Sequence, residues 1–142
     1  MKALSVRAPW WWAILHLGKD IENRDWATTR RGTIYLHAGK WWQEYEVKSD
    51  LLDVWYIRCH PTTEQGITAL GWNTQQVRAA GGCIVGKVDI VDCVTQSKSP
   101  WFFGKYGFVL ANPVAFPEPV PCKGALGFFE VPDLAIQSKA VR

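Results

Sequence analysis

The sequence predicts an α+β fold in which a small, mostly antiparallel β-barrel or curved sheet is flanked by helices. About six or seven short segments have the alternation or the β-branched residues of strands. Regular helices do not separate these segments, which excludes a doubly wound parallel sheet. The helical patterns collect instead in the first half of the chain, partly as an insert near its middle.

The composition is that of one globular domain. The chain has 142 residues, of which 48% are hydrophobic and 20% are charged. This length suits a single core of ordinary size, and nothing resembles a low-complexity segment. We expect one domain over residues 1–132 and a loose tail over residues 133–142. Most of the nine tryptophans should lie in the core.

The first elements alternate between strand and helix. Residues 2–6 have the weak alternation of a short strand. Residues 10–17 are apolar on all sides, which predicts a buried helix with Pro9 in its first turn and Gly18 at its end. A second strand is expected over residues 21–26.

A third strand and a helical insert follow. Alternation over residues 33–38 places Ile34 on the aliphatic face and His37 on the opposite face, at the end of the strand. Residues 41–58 have helical periodicity, and residues 74–80 predict a short helix capped by Asn73. These two helices make up the predicted insert.

The second half of the chain contains four further strand candidates, at residues 83–94, 106–110, 114–120 and 125–131. The first is rich in β-branched residues, and its alternation slips at Gly86, which indicates a bulge or a close backbone approach. Asn112 and Pro113 predict a turn after the second. Two prolines make the third an edge strand at best.

The stretch Gly-Lys-Asp-Ile-Glu-Asn-Arg at residues 18–24 is the strongest candidate for a site. If the strand is extended, Glu22, Arg24 and Trp26 share one face, with Lys19 approaching from the turn. The apolar Ile21 suggests that the other face is the core. A guanidinium, a carboxylate and an indole in a row suit a planar polar ligand such as a nucleobase.

Charge and cysteine usage limit the partners and cofactors. The net charge of +3 allows nucleic-acid binding but does not require it. The four cysteines form no CxxC pair, so we expect buried, reduced thiols, no structural zinc and no cofactor. No signal-peptide pattern and no run of 18 apolar residues is present, which predicts a soluble, cytoplasmic protein without a membrane partner. We expect a monomer or a weak dimer.

Several pieces of sequence, taken together and in order, resemble the ASCH domain family. They are Leu-Ser-Val-Arg-Ala-Pro-Trp at residues 4–10, Lys-Asp-Ile-Glu-Asn-Arg at 19–24, residues 31–38, residues 86–92, and Pro-Cys-Lys-Gly-Ala-Leu-Gly-Phe at 121–128. The family motif resembles Gly-x-Lys-x-x-Glu-x-Arg. Here its glycine position is Leu17, and the glycine stands at 18.

The resemblance implies a PUA-like β-barrel with a cleft between the barrel and the first helix. The residues it nominates for that cleft are Ser5, Arg7, Pro9, Trp10, Lys19, Glu22, Arg24, Lys123 and Gly124. His37 joins them from strand alternation alone. The expected ligand is single-stranded RNA, a nucleotide or a modified nucleobase, with Trp10 stacking and the cations meeting phosphates or base edges.

The resemblance leaves an enzyme open as the alternative. Some family members resemble ribonucleases, for which Mg²⁺ or Mn²⁺ would be the metal and Lys19 or His37 the base for a 2′-hydroxyl. One bacterial branch hydrolyses acetylated cytidine with Lys, Thr and Glu. Glu22 stands where that branch has Thr, which argues against this amidase chemistry and should keep Lys19 charged. Glu22, with Lys19 and His37, is retained as a candidate catalytic group.

A third hypothesis is purely structural. Glu22 and Arg24 would form an ion pair that holds the helix against the barrel. Such a pair is worth under about 1 kcal/mol when exposed, whereas a buried pair costs roughly 3–5 kcal/mol to break from one side. This role is compatible with either of the other two.

Overall fold

The computed structural model of the chain describes residues 1–41, 71–132 and 136. Its strands are β1 (Lys2–Ala8), β2 (Ile21–Arg24), β3 (Gly32–Trp41), β4 (Cys83–Val94), β5 (Tyr106–Pro121) and β6 (Phe128–Glu130). Its helices are α1 (Trp10–His16) and α2 (Thr74–Ala79). The predicted helix at residues 41–58, the main part of the insert, lies outside the described residues.

The six strands form one mixed sheet in the order β2-β5-β4-β3-β1-β6. Within the described residues, only the pairing of β1 with β3 is parallel, so the prediction of a mostly antiparallel sheet is confirmed. Among the described strands, β2 and β6 remain two separate edges. The sheet is therefore open, and the predicted closed barrel is not what the backbone pairing shows.

The main core lies on one face of the sheet, where α1 adds Trp11 and Trp12. β3 contributes Ile34, Leu36 and Ala38 to this face, as the alternation predicted. Tyr35 points to the other face, where it packs in a smaller cluster with Ala3, Ile84, Val120, Val131 and Ile136. The strand alternation therefore assigned the two faces of β3 correctly.

For β2 the prediction holds in part: Ile21 is buried in a core cluster, but the face of Glu22 and Arg24 is also turned to the core rather than to solvent. Glu22 pairs in register with Phe108, which is fully buried in the main core, so Glu22 and Arg24 lie on the core side. Ile21 packs instead with Ala13 and Trp101 in a separate cluster. Ile21 is apolar because it contacts α1 and the loop at residues 97–103, which cover the face of β2 opposite to the main core.

The prediction that Trp26 lies in the site is also wrong. It lies beyond the end of β2, and its ring packs edge-on against Phe108 and Phe128, with centroids 5.2 Å and 5.6 Å away. Phe108 and Phe128 stack on each other at 6.1 Å. Trp26 is therefore part of the aromatic packing of the core, and the predicted row of acid, guanidinium and indole ends at Arg24.

β5 is a single strand of 16 residues, whereas the sequence predicted two strands separated by a turn. Asn112 sits at φ 53°, and the pairing with β4 shifts register on either side of this point. β2 pairs only with the first part of β5, from Tyr106 to Val109. The prolines that follow therefore lie where β5 has no partner strand on its β2 side, although β4 still pairs along its other side.

β4 and α2 agree with the prediction. β4 spans the predicted residues, and its pairing with β5 shifts between Ile84 and Gly86. A Cβ on Gly86 would lie 2.3 Å from the Val114 carbonyl oxygen, so the close backbone approach is real. Asn73 caps α2 in a full capping box with Gln76.

The remaining predictions have mixed outcomes. β6 is shorter than the predicted residues 125–131. In the predicted loose tail only Ile136 is described, and it is buried. Cys83, Cys93 and Cys122 are free but half-buried rather than buried, and Cys59 lies outside the described residues.

Candidate functional site

The turn after α1 brings Lys19 into the protein. Gly18 has φ +71°, a conformation that favours glycine at the end of a helix. The amides of Leu17 and Lys19 both donate to the Ala13 carbonyl, at 2.9 Å and 3.2 Å. Leu17, which takes the place of the family's glycine, has φ −120° and needs none. The shifted glycine is thus the residue that the turn requires.

The Lys19 ammonium is almost completely enclosed. Its residue is 3% exposed. Nζ donates to the Ile21 carbonyl oxygen and lies 3.7 Å from Glu22 Oε1. The centroids of the Trp10 and Trp101 rings are each 5.9 Å from Nζ, within the range of cation–π attraction. A carbonyl, a carboxylate and two indoles therefore surround one amine.

Burial and charge act on Lys19 in opposite directions. Burial lowers the pKa of Lys19, because removing water disfavours the charged amine. The carboxylates of Glu22 and Asp20 oppose this, whereas the Arg24 charge adds to it. The net direction of the pKa is downward, so this lysine is easier to deprotonate than one on the surface.

Glu22 also holds Arg24, which reaches across to β1. Arg24 Nε donates to Glu22 Oε2 at 3.0 Å, and Nη2 lies 2.8 Å from the same oxygen. Nη2 also donates to the Ser5 carbonyl oxygen at 2.7 Å. Ser5 is the first residue of β1 beyond the three that pair with β6. A side chain of the β2 edge thus reaches the part of β1 that β6 leaves uncovered.

His37 forms a second part of the same site. Its Nδ1 is 3.0 Å from Ser5 Oγ, and its Nε2 is 2.7 Å from the Cys122 carbonyl oxygen. Because a carbonyl only accepts, the hydrogen-bond network places a proton on Nε2. Gly124 lies close to the ring: a Cβ there would be 2.6 Å from His37 Cε1. Ser5 therefore joins His37 to the Arg24 network.

The other predicted residues lie around this network. Pro9 is buried at the start of α1, and Trp10 is half-buried next to Lys19. Arg7 follows Ser5 on the same face of β1 and is exposed. Lys123 is exposed beside Gly124. The structure thus brings Ser5, Trp10, Lys19, Glu22, Arg24, His37 and Gly124 into one connected set, with Arg7 and Lys123 on the surface.

Sequence reasoning missed three residues of this region. Trp101 is one wall of the Lys19 enclosure, although it lies 82 positions further along the chain (101 minus 19). Asp20 and Asn23 both bind the loop that carries Trp101. Only the position of these two polar residues inside the motif could have indicated them, because the loop itself has no periodic pattern.

The described residues hold no metal-binding constellation. In residues 1–41, 71–132 and 136, no three His, Cys, Asp or Glu side chains come together as a metal site would require. Within the same part of the chain, no helix has the length and apolar character needed to cross a membrane.

The domain is a mixed, mostly antiparallel sheet, and a Lys–Glu–Arg network follows its first helix. The class of protein that has this combination is given by a comparison with family models. The family model described as the ASCH domain matches residues 4–119. The chain belongs to the ASCH domain family, and its fold is accordingly PUA-like. A comparison with curated proteins gave no match.

Proposed function

We propose that this protein binds single-stranded RNA, or a nucleotide or modified nucleobase, at the site formed by Ser5, Trp10, Glu22, Arg24 and the loop at residues 122–124. The observation that carries the proposal is that Arg24 is held in place but is still partly exposed. Its guanidinium is fixed on one side by Glu22 and Ser5, yet its side chain remains 21% exposed. Such a group is preorganised for a ligand.

Arg24 keeps donors for that ligand. Nε and Nη2 are used by Glu22 and by the Ser5 carbonyl, and Nη1 has no acceptor among the described residues. Nη1 can therefore donate to an acceptor of a phosphate or of a base edge, while the rest of the planar fork stays bound to the protein. Because both partners hold the group in place, little side-chain entropy remains to be lost on binding.

Trp10 supplies the complementary contact. Its half-buried ring starts α1 and has the Lys19 ammonium near one side. A base stacked on an indole contributes roughly 1–3 kcal/mol without demanding a particular sequence. Lys19 is too enclosed to meet a phosphate directly, so we assign it the role of holding Glu22 and Trp10 in place. Arg7 and Lys123 are the exposed cations for the backbone.

His37 favours binding over ribonuclease chemistry. A ribonuclease base needs a nitrogen that reaches the 2′-hydroxyl. Both nitrogens of His37 are occupied by Ser5 and Cys122, and the residue is 4% exposed. We therefore interpret His37 as the support for the loop at residues 122–124 rather than as a proton acceptor.

A hydrolase acting on a nucleic-acid ligand or an acylated nucleoside is the second candidate. It is favoured by the lowered pKa of Lys19 and by Glu22 at 3.7 Å, since a dry lysine beside a carboxylate is suited to proton transfer. Substrate would have to reach an amine that Trp10 and Trp101 now cover.

The first prediction separates these functions. End-labelled single-stranded RNA is incubated with the protein, with and without Mg²⁺ or Mn²⁺, and run on native and denaturing gels. A retarded, intact RNA is expected. The logarithm of the association constant, measured by fluorescence anisotropy, should fall linearly with the logarithm of the salt concentration. Lys123→Ala should reduce that slope by about 1 because one phosphate contact is lost.

Lys87→Ala is the matched control, because Lys87 is an exposed lysine of β4 to which we assign no ligand contact. It should leave the slope unchanged. Equal slopes for wild type, Lys123→Ala and Lys87→Ala would contradict the assigned binding surface. Shortened RNA on the denaturing gel, or deacetylation of acetylcytidine measured by chromatography, would establish the hydrolase instead.

A further inference from the structure

We propose that Asp20 and Asn23 are positioning residues that hold the loop at residues 97–103 so that Trp101 closes the ligand site over Lys19. The inference rests on the proposed function for its ligand, but its geometric part stands independently. It assigns a role to the two polar motif residues that the network of Lys19, Glu22 and Arg24 leaves out.

The motif divides its polar residues between two tasks. Lys19, Glu22 and Arg24 bind one another and the Ser5 carbonyl. Asp20 and Asn23, which lie between them in sequence, bind the distant loop instead. Side chains alternate along β2, so Asn23 faces away from Glu22 and Arg24, whereas Asp20 precedes the strand and is outside that alternation.

Asn23 is the stronger of the two anchors. Its Nδ2 donates to the Trp101 carbonyl oxygen at 2.9 Å, and its Oδ1 accepts from the Phe103 amide at 2.8 Å. One side-chain amide therefore satisfies backbone groups on both sides of Phe102. Only a side chain with a donor and an acceptor in this arrangement can make both bonds.

Asp20 fixes the start of the loop. Its Oδ1 accepts from Ser99 Oγ at 2.6 Å, and Ser99 Oγ in turn accepts from the Trp101 amide at 3.1 Å. The Asp20 carbonyl accepts from the Leu110 amide at 2.8 Å, which ties the same residue to β5. Trp101 is thus held through its amide by Ser99 and through its carbonyl by Asn23.

Packing beneath the loop leaves little room for another arrangement. A Cβ on Gly107 would lie 2.7 Å from Phe102 Cδ2 and 2.9 Å from Ile21 Cγ2, so the glycine allows Phe102 to sit directly on β5. Trp101 is 7% exposed and packs in the cluster with Ile21 and Ala13. The indole over Lys19 therefore depends on the loop being seated correctly.

The geometric part is tested by chemical labelling of Lys19 without any RNA. The folded protein is treated with an amine-acetylating reagent, and the rate at Lys19 is followed by peptide mass spectrometry. Asn23→Ala should raise this rate by on the order of tenfold, because the loss of Trp101 cover exposes the amine. Asn112→Gly is the control: it removes an amide that binds Asp89 rather than the loop.

Ser99→Ala, which removes the loop-side partner of Asp20, should raise the rate in the same direction and serves if Asn23→Ala does not fold. Asn23→Asp should fail to restore protection, because a carboxylate has no hydrogen to donate to the Trp101 carbonyl. If Lys19 is acetylated as slowly in Asn23→Ala and Ser99→Ala as in wild type, the loop does not depend on these anchors and the proposal is overturned.

The functional part is tested by anisotropy with the same single-stranded RNA. Asn23→Ala should weaken binding about tenfold, because a displaced Trp101 no longer holds Lys19 against the Trp10 ring on which the base stacks, while Asn112→Gly binds as wild type. Faster acetylation with unchanged affinity would overturn the role of Trp101 in ligand binding. If wild type binds no RNA, the proposed function fails, and the acetylation rates alone decide whether Asp20 and Asn23 position the loop.

Discussion

At the scale of single residues, Glu22 is the centre of the site. It is 7% exposed and its two carboxylate oxygens face two cations, Arg24 at 2.8 Å and Lys19 at 3.7 Å. Taking such charges out of water is costly, and the pairing repays the cost only while all members are present. The structural hypothesis drawn from the sequence and the binding hypothesis therefore apply to the same pair, Glu22 and Arg24.

We expect Glu22→Gln to lower the free energy of unfolding by roughly 3–5 kcal/mol, since it leaves the buried Lys19 and the partly buried Arg24 without an acid. Urea unfolding measures this. Glu130→Gln is the control: Glu130 pairs with the N-terminus and Lys2, but its side chain is 66% exposed, so little change should follow. Equal small shifts in both variants would show that Glu22 holds no buried charge pair.

Lys19 predicts a dependence of stability on pH. Because burial lowers the pKa of Lys19 in the folded protein below its ordinary value of 10.5, the unfolded chain binds this proton more tightly. The free energy of unfolding should therefore rise with pH between the lowered pKa and 10.5. Lys19→Met should remove this part of the rise. Parallel urea profiles for the two proteins between about pH 7 and 10 would contradict it.

At the scale of elements, β4 shows what a sequence pattern can reveal. The slip in alternation at Gly86 predicted a bulge or a close approach, and the structure contains both. The reason is local: β5 crosses so near that its Val114 carbonyl occupies the space of a side chain. A glycine in a strand interior lowers the stability of the strand, so its presence at position 86 indicated that no side chain fits there.

Gly86→Ala should accordingly destabilise the protein by about 1–3 kcal/mol, because the added methyl forces the strands or Leu15 to move. The shift in thermal or urea midpoint measures it. Lys87→Ala, at the next position but exposed, should be close to neutral. If Gly86→Ala is as stable as wild type, the close contact between β4 and β5 is not as the structure has it.

β5 and β2 show where a sequence pattern is insufficient. Asn112 and the prolines that follow it predicted a turn and an edge strand, since propensity is local. The strand continues because its second part still pairs with β4, while β2, which starts at Ile21 opposite Val109, leaves that part unpaired on the other side. Likewise, Ile21 could not reveal which face of β2 meets the main core, because both faces are covered. Only the register of Glu22 with Phe108 decides it.

At the scale of the whole molecule, side chains join what the backbone leaves open. The sheet runs from β2 at one edge to β6 at the other, and Arg24 links the first edge to Ser5 on β1. Trp26 and Phe128 add an apolar contact between the same regions. We infer that the site lies at this join because the Arg24 guanidinium is held there by Glu22 and Ser5 and remains partly exposed.

The resemblance to the ASCH family was recognisable from the order of short motifs, and the family model confirms it. The motif residues Lys19, Glu22 and Arg24 do meet, as the sequence predicted. The enclosure by Trp101 was not predictable, since it depends on a loop fixed by two hydrogen-bonding residues far away in sequence. Long-range contacts of this kind leave no periodic signal.

The most direct measurement is a titration of ¹⁵N-labelled protein with short single-stranded RNA, followed at the Arg24 Nε–H and Trp10 indole resonances. We predict that both shift together and saturate at the same RNA concentration, and that Arg24→Lys, which keeps the charge but loses the fork, weakens binding about tenfold. If RNA binds while both resonances stay unchanged, the ligand site lies elsewhere on the protein.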